Sequence, residues 1–191
     1  MKTLTLAILT IFCLVVQLNA QTLNKELTNE DQETYLIGKI DKSGLETKHY
    51  AEWFVTNYND YNVDIETLKT IKTKLKTYDV KVFMGTWCED SQYEVSHFYK
   101  IIDTANYPVE QLTIIALDRN KESLEHDEAN LNIVRVPTFI LYKDGKEVNR
   151  IIETPVETLE KDLQAILTTN NYKPNYYDVK KETKKTKKGS P

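Results

Sequence analysis

Residues 79–91 read Asp79-Val80-Lys81-Val82-Phe83-Met84-Gly85-Thr86-Trp87-Cys88-Glu89-Asp90-Ser91. Lys81–Met84 has the apolar content of a short strand, Gly85-Thr86 breaks it, and the pattern from Ser91 to Thr104 predicts a helix whose inner face carries Val95, Phe98 and Ile102. Cys88 thus falls at a strand-to-helix junction. A thiol at that point meets unpaired backbone N–H groups and the positive end of the helix dipole. Such a setting suits the thiolate, the form that acts as nucleophile; taken alone, Cys88 reads either as such a reactive thiol or as a buried small hydrophobe. Trp87 places a broad apolar surface beside the sulfur.

Downstream, Leu112–Leu117 is a nearly continuous apolar run, as expected of a buried strand. Glu122–Asn130 is expected to form a short helix. Phe139–Tyr142 reads as a strand, Lys143-Asp144-Gly145-Lys146 as a hairpin turn and Glu147–Ile152 as the partner strand. Thr154, Pro155 and Glu157 suit the N-cap, N1 and N3 positions of a last helix, whose inner face is Leu159, Leu163, Ile166 and Leu167. The order from residue 80 is strand, helix, strand, helix, strand, strand, helix. A central mixed sheet covered by helices would bury these strands, which places the chain in the α/β class.

Upstream, residues 21–34 read as a polar lead-in with a short helix, and Tyr35–Ile40 as a short strand. Leu45–Tyr58 reads as an aromatic-rich helix. Asp64 caps a further helix on which Ile65, Leu68, Ile71, Leu75 and Tyr78 recur at helical spacing. We divide the chain into a leader (1–20), a mostly helical N-terminal extension packed on the core (21–78), a main domain (79–170) and a polar lysine-rich tail (171–191). In the leader, Lys2 precedes the largely apolar stretch Leu4–Leu18, and Leu18-Asn19-Ala20 offers a cleavage site before Gln21. The chain is therefore expected to be exported, periplasmic or extracellular. The apolar stretch is short of the roughly 20 residues that span a bilayer.

The sequence has 191 residues, a formal net charge of −4 and two Cys. Removal of the leader leaves Cys88 as the one cysteine, which excludes an internal disulfide. Two Cys and three scattered His do not suggest a structural zinc site, and neither metal nor cofactor is expected. Residues 21–179 carry 18 basic and 28 acidic side chains, a balance that argues against nucleic-acid binding. Residues 180–191 hold six Lys and one Glu and are expected to be disordered. That end serves either as a solubilising segment or as a weak contact for anionic surfaces such as lipid headgroups.

Trp87-Cys88-Glu89-Asp90-Ser91 resembles the active-site segment of thioredoxin-like proteins, whose usual pattern is Trp-Cys-x-x-Cys. Val136-Pro137-Thr138 resembles that family's second signature, in which the proline is cis and lies against the redox pair. Phe139–Arg150 is similar to the hairpin that follows it. The resemblance covers residues 79–168 and implies a thioredoxin-like fold, with Cys88, Ser91, Trp87 and Pro137 as the site residues. Two departures bear on the chemistry. Ser91 stands where the family carries its resolving cysteine, and Val82 stands where thioredoxins often carry a buried Asp. A dithiol enzyme releases its mixed disulfide with the second cysteine, and Ser91 cannot do this. The resemblance therefore implies exchange by a single thiol, with a client polypeptide or a small thiol as partner. The second class of function is non-catalytic, a peptide-binding or client-holding module. Glu89 and Asp90 either stabilise the helix N-terminus or oppose a negative charge on the sulfur. The Ser91 hydroxyl either donates to the thiolate or is a solvated first-turn serine. Asp118-Arg119-Asn120 follows a strand end and reads as a solvated loop.

Overall fold

The computed structural model describes residues 23–169 and 171–179. The leader and the Lys180–Pro191 end lie outside the described residues. Six strands form one sheet: β1 (Lys25–Thr28), β2 (Thr34–Ile40), β3 (Asp79–Met84), β4 (Leu112–Ala116), β5 (Thr138–Lys143) and β6 (Lys146–Ile152), in the spatial order β1-β2-β4-β3-β5-β6. The helices are α1 (Lys42–Leu45), α2 (Ala51–Asp60), α3 (Ile65–Leu75), α4 (Glu89–Ala105) and α5 (Leu159–Thr168).

The central strand is β3. It pairs parallel with β4, Val82 opposite Ile114, and antiparallel with β5, Val82 opposite Phe139. The parallel pair needs a long crossover, and α4 supplies it. The β5–β6 hairpin closes at Asp144-Gly145, whose φ angles of 50° and 73° are both left-handed, as the two-residue turn that matches strand twist requires. On the other side, β2 joins β4 antiparallel, with Gly38 opposite Ala116. The segment before residue 79 therefore shares the sheet of the main domain. From β3 onward the order β3-α4-β4-β5-β6-α5, with β3 between β4 and β5, is the arrangement of the thioredoxin-like fold: a central mixed sheet flanked by helices.

Strand alternation sorts the core into two clusters. Val80, Val82, Met84, Ile114, Ala116, Phe139 and Leu141 face the larger cluster, together with Phe54, Leu68, Ile71, Phe98, Leu163 and Ile166 of the helices. Phe83, Ile115 and Ile140 face the smaller one, which Leu117, Ile133 and Val136 cover from the segment between β4 and β5. Trp87 and Cys88 pack at the margin of this second cluster.

Several elements differ from the sequence reading. Residues 25–28 form a strand rather than a helix, because pairing Lys25 with Ile37 and Leu27 with Tyr35 extends the sheet. Residues 42–60 form two helices rather than one. Asp41 caps the first by accepting from the Ser43 and Gly44 N–H groups, and Thr47 Oγ1 donates to the Gly44 carbonyl in the turn that ends it. Residues 122–130 form turns, not a helix. Lys121, His126, Asn130 and Asn132 adopt positive φ, and the Glu128 carboxylate takes the N–H and hydroxyl of Ser123. The last helix starts at Leu159, with Thr158 rather than Thr154 as N-cap. The Val156 and Glu157 N–H groups bond to the buried Asp162 carboxylate instead, which also receives the Tyr172 hydroxyl at 2.6 Å. A tertiary acceptor has there displaced the local capping box.

Candidate functional site

Strand β3 delivers the chain to Gly85, where it turns. The Cys88 N–H donates to the Gly85 carbonyl at 3.0 Å, and the Cys88 carbonyl accepts from Gln92 N–H at 2.9 Å as the first bond of α4. Cys88 is thus the N-cap residue of α4, with extended backbone (φ −104°, ψ 121°). Its side chain makes no capping bond. The half-buried thiol instead donates to the Val136 carbonyl at 3.3 Å. The Val136–Pro137 peptide bond is cis. The structure therefore brings Cys88 and the Val136-Pro137 segment together across 48 residues of sequence.

Trp87 is fixed by an indole N–H bond of 2.9 Å to the Leu117 carbonyl, at the end of β4. Its ring lies over Gly85 so closely that a Cβ at that position would sit 2.5 Å from it. Glycine here is a packing requirement. Ser91 is fully buried, and its Oγ accepts from the Gly85 N–H at 3.2 Å. It is a strut under the turn rather than a solvated serine. Thr86 adds two ties: its hydroxyl accepts from Leu36 N–H at 3.1 Å and its carbonyl from Gln92 Nε2 at 2.8 Å. Val82 is wholly buried within β3, so that position carries no carboxylate beneath the turn.

The first turns of α4 carry several perturbed ionisable groups. Burial is the main cause that raises Asp90, helped by Glu153 and Glu89 and eased by Arg135. One turn on, burial followed by Asp90, Asp162 and Glu160 pushes Glu94 up to about 7. Burial pushes His97 down to about 4, and its ring stacks on Tyr61 at 4.0 Å and meets Tyr93 at 3.9 Å. His49 and His126 lie elsewhere, against Glu26 and Glu128. Among the described residues no group of three His, Cys, Asp or Glu side chains could hold a metal.

The sequence reading passed over Arg119 as part of a solvated loop. Its guanidinium lies 4.9 Å from the centroid of the Trp87 ring and is held by Glu33, Nε to Oε2 at 2.9 Å and Nη2 to Oε1. The one available signal for Arg119 is its place on a loop that follows a strand end; its approach to Trp87 is tertiary. Glu33 gave none, because its approach depends on β2 lying next to β4. A cleft of about 640 Å³ between β6 and residues 171–179 is a separate feature: Asn149, Arg150, Tyr172 and Tyr176 line it, and Trp87, Cys88, Ser91 and Pro137 do not.

No family model matches the sequence, and neither does any curated protein. Among solved structures, the chain is similar to thioredoxin from Fasciola hepatica, with 22% identity over 44% of this chain and 77% of that one at a TM-score of 0.31. It is also similar to mitochondrial thioredoxin 3 from Saccharomyces cerevisiae (23% identity, 44% of this chain and 76% of that one, TM-score 0.30) and to thioredoxin O2 from Arabidopsis thaliana (18%, 56% and 85%, TM-score 0.34). At such scores the fold assignment rests on the strand order and register above.

Proposed function

We propose that this chain performs thiol–disulfide exchange through Cys88 alone. The observation that carries the reading is the placement of the thiol: a half-buried N-cap side chain, free of capping duty, aimed at the Val136 carbonyl beside Pro137. The Cys88 thiolate attacks one sulfur of a client disulfide. A Cys88–client disulfide forms, the client S–S bond breaks, and the departing thiolate takes up a proton. With Ser91 bound to the Gly85 N–H in the place of a resolving thiol, release falls to an external small thiol or to the client's own second cysteine. Attack at the client sulfur restores the Cys88 thiolate and moves the S–S bond to the attacking thiol. A different client cysteine leaves a rearranged client disulfide (isomerisation). A small thiol leaves a client–small-thiol disulfide that a second small thiol reduces, with its own oxidation to the small-molecule disulfide. The partner is a client polypeptide or a small thiol. An exported location, expected from the leader, suits this chemistry because disulfides persist there. The lysine-rich end is proposed as a weak contact for anionic surfaces.

The test uses the Cys13→Ser chain, in which Cys88 is the one thiol, and a disulfide-bonded peptide. The expected result is a mixed disulfide that forms faster than with free N-acetylcysteine, is reversed by added thiol and is absent in Cys88→Ser. Formation at or below the rate of free N-acetylcysteine overturns the exchange reading. Peptide affinity that survives in Cys88→Ser, together with slow exchange, selects the client-holding module instead.

A further inference from the structure

The Arg119–Glu33 pair joins the loop after β4 to the β1–β2 turn, 86 residues apart in sequence. The turn presents its carboxylate by design of its own hydrogen bonds. Asn29 Oδ1 accepts from Glu33 N–H at 2.9 Å, Asn29 Nδ2 donates to Glu33 Oε2 at 3.1 Å, and Gln32 takes the left-handed φ of 63° that lets the turn close. On the other side, the guanidinium rests on the indole of Trp87, the residue before Cys88. Arg119 therefore offers a planar fork, pre-oriented by an aromatic face, at the rim of the reactive thiol.

Such a fork recognises carboxylates in a two-point geometry, and Glu33 already uses both points. The pair is open to water, with the Arg119 side chain 59% exposed and that of Glu33 31% exposed. Ion pairs this exposed contribute little net stability. Release of Glu33 therefore costs little, and a client carboxylate delivered beside Cys88 would regain the same two contacts.

We propose that Arg119 is a carboxylate receptor for the disulfide partner of Cys88, and that Glu33 is its resident occupant, displaced by a client that carries a carboxylate near its disulfide. This inference rests on the exchange reading and adds the substrate class: anionic disulfides. Arg119 acts as a positioning residue, because it holds the partner while Cys88 does the chemistry. Glu33 sets the selectivity by competition for the same two N–H donors.

The experiment measures second-order rates of mixed-disulfide formation on the Cys13→Ser chain with three probes: 3,3′-dithiodipropionate (anionic), bis(2-hydroxyethyl) disulfide (neutral) and cystamine (cationic). Glu33→Gln is expected to raise the anionic rate about threefold to tenfold, the range open to one exposed ion pair near the reacting atom, and to move the neutral rate by less than about twofold. Arg119→Gln is expected to lower the anionic rate by a similar factor and to raise the cationic one. Arg119→Lys, which keeps the charge but loses the fork, is expected to recover part of the anionic rate. The decisive comparison is Glu33→Gln made on Arg119→Gln, where the gain should vanish. A gain of equal size in that background shows a through-space charge effect and overturns the receptor. Equal changes for all three probes overturn it as well. Failure of the neutral probe to react in every variant overturns the exchange reading itself, and this inference with it. A cystine peptide flanked by Asp, compared with its Asn counterpart, separates a polypeptide source of the carboxylate from a small molecule.

Discussion

Ser91 Oγ accepts the backbone N–H of Gly85 at 3.2 Å inside the protein, and so braces the turn that carries Cys88. A buried N–H that loses its acceptor costs about 1–3 kcal/mol. Ser91→Ala is therefore expected to lower stability by about that amount in urea denaturation, with the slope of the transition unchanged. An unaltered midpoint would mean that the Gly85 N–H finds another acceptor and that Ser91 is not a strut.

Ser91→Cys restores a second thiol one turn into α4 from Cys88. In the Cys13→Ser background, mild oxidation is expected to reduce the titratable thiols of the denatured chain from two to none, without dimer formation. In its reduced, dithiol form the variant should reduce a peptide disulfide in a single turnover with no added thiol, ending as the 88–91 disulfide. Two thiols that persist after oxidation would show that the positions 88 and 91 do not approach closely enough to bond.

Gly85 lies under the Trp87 ring, where an added Cβ would approach to 2.5 Å. Gly85→Ala must push the indole away or bend the turn, and such overpacking costs about 1–3 kcal/mol. The indole N–H bond to the Leu117 carbonyl should weaken with it. In a Trp53→Phe background, where Trp87 is the one remaining indole, its emission is expected to shift to the red and its accessibility to a neutral quencher to rise. Unchanged emission would show that the ring position does not depend on residue 85.

The sequence exposes those features that rest on local pattern. The apolar run of β3, the break at Gly85, the periodic face of α4 and the Asp144-Gly145 turn all carry their signal within a few residues. Asp64 caps α3 as its position suggests, with the Thr67 N–H bonded to its carboxylate. What stays hidden depends on partners distant in sequence. Strand β1 is short and polar, and becomes a strand only because β2 lies beside it. The helical pattern of 122–130 loses to a buried Glu128 carboxylate and a run of left-handed residues, and Thr154 loses its capping role to Asp162. The Arg119–Glu33 pair is hidden for the same reason, because nothing in either segment shows that β2 and β4 are neighbours. Ser91 was legible as a substitution in a motif, but its role as acceptor for Gly85 was not.

Glu94 and His97, on adjacent turns of α4, make opposite contributions to stability against pH. Burial, with Asp90 on the same helix and Asp162 and Glu160 on α5, holds Glu94 at about 7 against an ordinary value of 4.5. Between those values the folded state binds the extra proton, so stability falls as pH rises. Burial holds His97 at about 4 against an ordinary 6.5. There the unfolded chain binds the extra proton, so stability rises as pH rises from about 4 to 6.5. Across the shared window from about 4.5 to 6.5 the two slopes cancel, each worth on the order of 3 kcal/mol in full. Glu94→Gln removes the falling arm. Its stability relative to the parent chain is expected to match near pH 4.5 and to exceed it by that amount above pH 7. His97→Asn removes the rising arm and loses the Tyr61 stack, so its deficit should be smallest near pH 4 and grow toward pH 6.5. Urea unfolding of the three proteins from pH 4 to 8 measures both arms. Parallel curves for the parent and Glu94→Gln would show that Glu94 titrates alike in the folded and unfolded chains and is not held up by burial.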